Sequence, residues 1–150
     1  MNWIESIGEA INYIETNLKE PLTVEEIANH AYISSGYFQK AFAMLCGFTV
    51  GEYIRNRRLS KAGTEVLSRD KRIIDIALKY GYDSHDSFTK AFTRFHGATP
   101  SAVRRGGHMI KSFAPLQVNF LLKGGYIMDY RIEKQDGFEG YFFGRQHRVL

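Results

Sequence analysis

The sequence predicts a mainly α-helical protein that ends in a short β-rich segment. Two observations predict the helical part: apolar residues recur every three or four positions, and a unit of helix, tight turn and helix occurs twice. The β-rich segment is predicted by apolar residues that alternate with other residues from Leu116 onwards. We expect residues 1–107 to form the helical domain and residues 108–150 to form the β-rich segment.

The amino-acid composition already excludes several classes of protein. A chain of 150 residues with 44% hydrophobic content can build one core, or one domain and part of another. Its apolar runs fall well short of the roughly 20 residues of a membrane span. The single cysteine, Cys46, permits no internal disulfide, and the five histidines lack metal-ligand spacing. We therefore expect a cytoplasmic protein with no membrane segment, metal, cofactor or catalytic site.

The first helix is predicted by one apolar stripe and a capping residue. Asn2 can cap it together with Glu5, and Pro21 breaks the chain beyond it. A second capping box, Thr23 with Glu26, predicts a short helix from Val24 to about Ala31. The stripe of the first helix consists of Ile4, Ile7, Ile11, Ile14 and Leu18.

The next helix completes a unit over about residues 23–46. Ser34 can cap this helix, and Gly47 can end it. Thr49 then begins a longer helix over about residues 50–67, which spans about 27 Å at 1.5 Å per residue. The apolar face of the helix after Ser34 consists of Phe38, Ala41, Phe42 and Leu45.

The same unit returns over about residues 72–96. Five of the ten positions 40–49 are identical to those at 90–99, where unrelated segments would share fewer than about one. Ser34 corresponds to Asp83 in this alignment, so we expect Asp83 to cap the second helix of the second unit. Because two copies are too few for a stacked repeat array, each unit needs its own role.

Charge is distributed unevenly between the parts of the chain. Residues 1–35 hold one Lys against six Glu, a net charge of −5, whereas residues 36–107 hold thirteen Lys and Arg against six Asp and Glu, a net charge of +7. The basic part therefore contains both units, which favours a polyanionic partner. The alternative is a solvated basic face without a partner.

The second helix of each unit has a polar face opposite its apolar one. Gln and Lys near the start of an exposed helix are suited to the major groove of DNA, where they pair with adenine and guanine edges. The alternative is that these are ordinary exposed positions. The candidate base-reading residues are Gly36, Gln39 and Lys40 in the first unit, and His85, Asp86, Thr89 and Lys90 in the second.

Candidate phosphate-binding residues lie beside these helices. Thr49 and Thr99 each stand at a helix start, where free N–H groups suit a phosphate. Arginines follow both threonines, and their planar guanidinium groups match phosphate oxygens; Arg58 has the alternative of pairing with a Glu of its own helix. The candidates are Ser35, Tyr37, Thr49, Arg55, Arg57, Arg58, Arg94, Thr99, Arg104 and Arg105.

Taken together, these motifs resemble the AraC/XylS family of bacterial transcription regulators. The pattern runs through residues 3–105 as Ser-x-x-Tyr-Phe-x-Lys-x-Phe, Gly-x-Thr, Arg-Leu-x-x-Ala, Phe-x-Lys-x-Phe and Gly-x-Thr-Pro. The resemblance implies a seven-helix domain of two helix-turn-helix units and a linker helix that binds double-stranded promoter DNA. It also implies transcriptional activation, and with it RNA polymerase as a partner.

Beyond residue 107 the sequence resembles the start of a gyrase-inhibitor-like effector-binding domain. The resemblance rests on the run GGYIMDYRIEKQDGFEGYFFGR, which implies a small-molecule effector. The alternative is a short C-terminal hairpin packed on the helices. For the whole chain, the alternative function is a protein-interaction module that binds RNA polymerase or another partner without DNA specificity of its own.

Overall fold

Seven α-helices form the described part of the chain up to residue 118, which confirms the mainly α-helical prediction. The computed structural model describes residues 2–118, 126–135 and 138–148. The helices are α1 (Trp3–Thr16), α2 (Val24–His30), α3 (Ser35–Cys46), α4 (Val50–Ser68), α5 (Ile73–Lys79), α6 (His85–His96) and α7 (Pro100–Arg105).

Two antiparallel strands, β1 (Tyr126–Gln135) and β2 (Phe138–Arg148), follow the helices. Tyr126 lies opposite Arg148, and the register shifts between Glu133 and Lys134. Residues 136–137, which join the two strands, and the alternating residues Phe120 and Leu122 lie outside the described residues. The assignment of residues 108–150 to a second domain stays a prediction.

Local capping decides where most helices begin. Asn2 with Glu5 and Thr23 with Glu26 form the two predicted capping boxes, and a third joins Thr49 to Glu52 at the start of α4. Glycines in the left-handed region end α3 and α6, at Gly47 (φ 77°) and Gly97 (φ 83°).

The cap of α6 corrects the sequence alignment of the two units. Asp83 does not cap this helix; the Oγ of Ser84 accepts from the backbone N–H of Ser87 at 3.1 Å. The turns match at an offset of 49 as far as Tyr82, whereas Ser34 and Ser84 differ by 50. Asp83 is therefore an additional residue in the second turn, and both units keep a serine cap.

Two apolar cores lie against the two ends of α4. Val50, Tyr53 and Ile54 belong to the first core, with α1, α2 and α3. Leu59, Ala62 and Val66 of the same helix belong to the second core, with α5, α6 and α7. One continuous helix, α4, therefore joins the two halves of the domain. From here on, the first unit means α1, α2 and α3 on the first core, and the second unit means α5, α6 and α7 on the second core; each includes one of the two predicted helix-turn-helix pairs.

Residues 116–118, the described part of the alternating run that starts at Leu116, do not form the predicted strand. They continue directly from residues 111–115, and backbone N–H groups of this segment donate to side chains of the helical domain: that of Phe113 donates to Ser60 Oγ at 2.9 Å, and that of Leu116 donates to Tyr53 Oη at 3.1 Å. Because these donors are already used, the segment packs on the helices in place of pairing with a strand.

Candidate nucleic-acid interface

The first unit exposes the start of α3. Phe38 and Phe42 are fully buried, which turns the opposite face of this helix outwards. Gly36, Gln39 and Lys40 all lie on that face and are exposed. The predicted base-reading residues of this unit are thus brought together on one accessible surface.

The second unit exposes the equivalent face of α6. Phe88 and Phe92 are fully buried, while His85, Asp86 and Lys90 are exposed and Thr89 is half-buried. The side chains of this face also contact one another. Lys90 Nζ lies 3.1 Å from Asp86 Oδ2, and Thr89 Oγ1 lies 3.4 Å from His85 Nδ1.

The Lys90–Asp86 pair affects the charge of the predicted base-reading face of α6. Both side chains are about three-quarters exposed, so their ion pair is weak and can open at little cost. Until it opens, Lys90 compensates the negative charge of Asp86. The second unit therefore presents a more nearly neutral reading face than the first.

The two threonine caps differ in the charge at the helix start that follows. Thr49 N–H donates to the Glu52 carboxylate at 2.8 Å, so an acidic side chain already occupies the start of α4. Thr99 accepts from the N–H of Ala102 at 3.1 Å, and the first turn of α7 holds no acidic residue. A phosphate would therefore meet a like charge beside Thr49.

The remaining phosphate candidates differ in exposure. Tyr37, Arg55, Arg94 and Arg105 are exposed, as are both threonines, whereas Ser35 is half-buried at the first position of α3. Arg104 is also half-buried: its Nε donates to the carbonyl of Val66 at 3.0 Å, and its Nη2 is buried without a hydrogen-bond partner among the described residues.

The prediction that Arg57 is a phosphate ligand is wrong. Its side chain is buried and forms a two-point ion pair with Glu15 of α1, with Nε–Oε1 at 2.8 Å and Nη2–Oε2 at 3.0 Å. Tyr53 Oη donates to the same carboxylate at 2.6 Å. Burial and this hydrogen bond raise the pKa of Tyr53, which keeps the phenol protonated as a donor.

Arg58 is also used inside the protein, and it pairs with no Glu of its own helix. Its guanidinium donates to the carbonyls of Leu18 and Glu20, each at 2.8 Å. It therefore provides hydrogen-bond donors for the segment that follows α1. Of the three arginines after Thr49, only Arg55 remains exposed. Sequence reasoning missed these roles because each partner lies 38 or more residues away.

The described part of the chain contains neither a candidate metal-ion cluster nor a candidate membrane-spanning helix. No group of three or more His, Cys, Asp and Glu side chains among the described residues could hold a metal ion. None of the described helices is long and apolar enough to cross a membrane.

Comparisons with known proteins show which family the chain belongs to. A helix-turn-helix domain family matches residues 27–106, more than half of the chain. The transcriptional activator AarP of Providencia stuartii is 40% identical over 98 residues, which are 65% of this chain and 73% of AarP. A transcriptional regulator of Chromobacterium violaceum with an AraC-type DNA-binding domain has a TM-score of 0.63 and 26% identity, over 67% of this chain and 90% of that protein.

The chain belongs to the AraC family of transcriptional regulators. It is similar as well to the DNA-binding domain of the global transcriptional factor AdpA, solved in complex with a target DNA. That likeness has a TM-score of 0.60 and 26% identity, over 67% of this chain and 90% of that domain. The chain is accordingly a DNA-binding transcriptional regulator and not an enzyme.

Proposed function

We propose that this AraC-family protein activates transcription from the cytoplasm by reading two successive major grooves of promoter DNA with α3 and α6. The observation that carries the proposal is that α3 and α6 both expose a polar face, and that one continuous helix, α4, packs on the cores of both units. Two such faces on one chain suit an asymmetric site with two half-sites about one helical turn apart.

Each unit has a defined role in this proposal. In the first unit Gln39 and Lys40 read base edges, with Gln suited to adenine and Lys to guanine, and Gly36 lets the helix approach closely. In the second unit His85, Asp86, Thr89 and Lys90 read the other half-site after the Lys90–Asp86 pair opens. Phosphates are bound by Ser35, Tyr37, Thr49, Arg55, Arg94, Thr99, Arg104 and Arg105.

RNA polymerase and a small-molecule effector complete the proposal. RNA polymerase is the partner that activation requires. The effector would bind a domain that begins in the β-rich segment, residues 108–150, where β1 and β2 form an antiparallel pair. The helical domain, residues 1–107, is assigned to DNA.

Selection of DNA from a random pool tests the function directly. The full chain is expected to enrich a site with two distinct half-sites, and its affinity for that site is expected to fall steeply with salt as bound counterions are released. If no duplex is enriched and no promoter fragment is shifted in a gel, the protein-interaction module becomes the better explanation.

Single substitutions then test the division between base-reading and phosphate-binding residues. Lys40→Met is expected to weaken binding to the selected site by about tenfold and to relax preference at one base pair. Arg105→Met is expected to weaken binding to all duplexes about equally. Lys19→Met is the matched control, since it removes one positive charge from an exposed residue of the acidic N-terminal part. An equal effect of all three would refute the assignment.

A further inference from the structure

A segment after the last helix of the domain connects the two units by a second route. This segment, residues 110–116, is called the strap. Its first end belongs to the second unit: Ile110 packs against the second core, and the N–H of Lys111 donates to His96 Nδ1 at 3.0 Å. His96 is the last residue of α6, the reading helix of that unit.

The middle of the strap crosses α4. The N–H of Phe113 donates to Ser60 Oγ at 2.9 Å, and the carbonyl of Phe113 accepts from Arg57 Nη1. Arg57 is ion-paired with Glu15 of α1. Both polar backbone groups of Phe113 are therefore used by side chains of α4, and one of these side chains, Arg57, also pairs with α1.

The far end of the strap belongs to the first unit. The Phe113 ring lies 5.7 Å from Phe48 and 6.1 Å from Tyr53, centroid to centroid, in edge-to-face arrangements. Phe48 also lies 6.0 Å from Phe42 of α3. Leu116 packs against the same core, and its N–H donates to Tyr53 Oη at 3.1 Å.

The strap therefore runs from the end of one reading helix to the core beneath the other. A single helix such as α4 bends gently on its own, and a small bend at its middle would change the angle between two units on its ends. A second connection across that middle resists such a bend. The hydrogen bonds of the strap join its backbone to side chains of the helices, so they also fix its position along α4.

We propose that the strap is a positioning element that sets the angle between α3 and α6, and thereby lets one molecule engage both half-sites at once. The inference rests on the proposed function. When the units are held at the correct angle, binding of one half-site presents the other at high effective concentration. Loosening the strap lowers that concentration and leaves the reading face of each unit unchanged.

Phe113→Ala in the full chain tests the proposal. Binding is measured at low salt to three duplexes: the selected site, and the same site with either half-site scrambled. We expect Phe113→Ala to weaken binding to the intact site by about tenfold while both scrambled duplexes are bound as by the wild type. The variant should also tolerate an inserted base pair between the half-sites better than the wild type does.

Two further variants keep the result interpretable. Met109→Ala is the matched control, because Met109 precedes the strap and is 91% exposed, and no change is expected. Ser60→Ala removes only the hydroxyl that accepts from Phe113 N–H, and it should shift the same ratio less. It serves in place of Phe113→Ala if circular dichroism shows that variant to be unfolded.

The outcomes separate this proposal from the proposed function. Equal weakening on intact and scrambled sites, or no weakening on any of them, would overturn the positioning role of the strap. If the wild type prefers no duplex at all, the proposed function fails and the strap proposal fails with it. A selective loss on the intact site supports both.

Discussion

His96 joins α6 to two other parts of the domain through its ring nitrogens. Nδ1 accepts from Lys111 N–H, which leaves the proton on Nε2 to donate to the carbonyl of Leu59 at 2.8 Å. Burial lowers the pKa of His96 in the folded protein, and the charge of Lys111 acts in the same direction. The fold therefore selects the neutral ring.

This selection predicts acid-sensitive stability. An unfolded histidine has a pKa of about 6.5, so the contribution of His96 is fully present above that pH and is lost as the pH falls below it. Urea unfolding at pH 7.5 and 5.5 should show a smaller free energy of unfolding at the lower pH. His96→Gln should reduce that difference; an unchanged difference would mean that other groups cause it.

Gly63 shows how closely α4 approaches the same imidazole. A Cβ at this position would lie 2.7 Å from His96 Cε1 and 2.8 Å from Nε2, too close for either atom. Gly63→Ala should destabilise the fold by about 1–3 kcal/mol from overpacking, less the gain of up to about 1 kcal/mol in helix propensity.

Gly8→Ala provides the comparison for Gly63→Ala. Gly8 lies within α1, and a Cβ there would meet nothing within 4 Å, so only the propensity gain of up to about 1 kcal/mol applies. Guanidinium unfolding of both variants measures the difference. A Gly63→Ala protein as stable as the Gly8→Ala protein would contradict the close contact.

At the scale of elements, the proposed phosphate contact at the start of α4 conflicts with the capping of that helix. Glu52 completes the capping box with Thr49, and its charge also favours the helix N-terminus. In the proposed complex, a phosphate would approach this carboxylate. Glutamine keeps the hydrogen bond to Thr49 N–H and removes the charge.

Glu52→Gln should therefore increase affinity for DNA at low salt by about two- to fivefold, since a like charge at 4 Å costs about 1 kcal/mol in water. The gain should shrink at high salt. Glu5→Gln alters the matching capping box of α1 and should leave DNA affinity unchanged. Fluorescence anisotropy with a labelled duplex measures both, and weaker binding by Glu52→Gln would argue against a phosphate at this position.

Elements that depend on neighbouring residues were predictable from the sequence. The structure confirms the predicted helix starts at Asn2, Thr23 and Ser34 and the predicted helix end at Gly47. Each of these residues acts on a partner no more than four residues away. The α6 cap was misplaced because Asp83 and Ser84 both have suitable side chains. Only the geometry of the preceding turn, which matches the first unit as far as Tyr82, distinguishes them.

Contacts between distant residues were not predictable. Arg57 follows a helix start just as a phosphate ligand would, and only packing brings it to Glu15, 42 residues away. The alternation that starts at Leu116 predicts a strand, yet the N–H groups of Phe113 and Leu116 are used by Ser60 and Tyr53. The exposed residues Gln39, Lys40 and Lys90 keep their predicted places because the buried aromatics of the same helices fix the opposite face.

At the scale of the whole molecule, the length of α4 limits what DNA the two units can engage. Its 19 residues span about 28 Å, whereas successive major grooves on one side of straight DNA lie about 34 Å apart. The strap, which contacts both units, opposes extension of this arrangement. In the proposed complex the duplex, more than the protein, has to adjust.

We therefore expect the DNA to bend towards the protein when both units are engaged. Bending costs about 1–6 kcal/mol and is easiest at flexible pyrimidine–purine steps, so TA or CA steps between the half-sites should raise affinity without being contacted. Energy transfer between dyes at the duplex ends should increase on binding to the intact site and not when either half-site is scrambled. Unchanged transfer on the intact site, together with full protection of both half-sites, would show that both reading helices fit straight DNA.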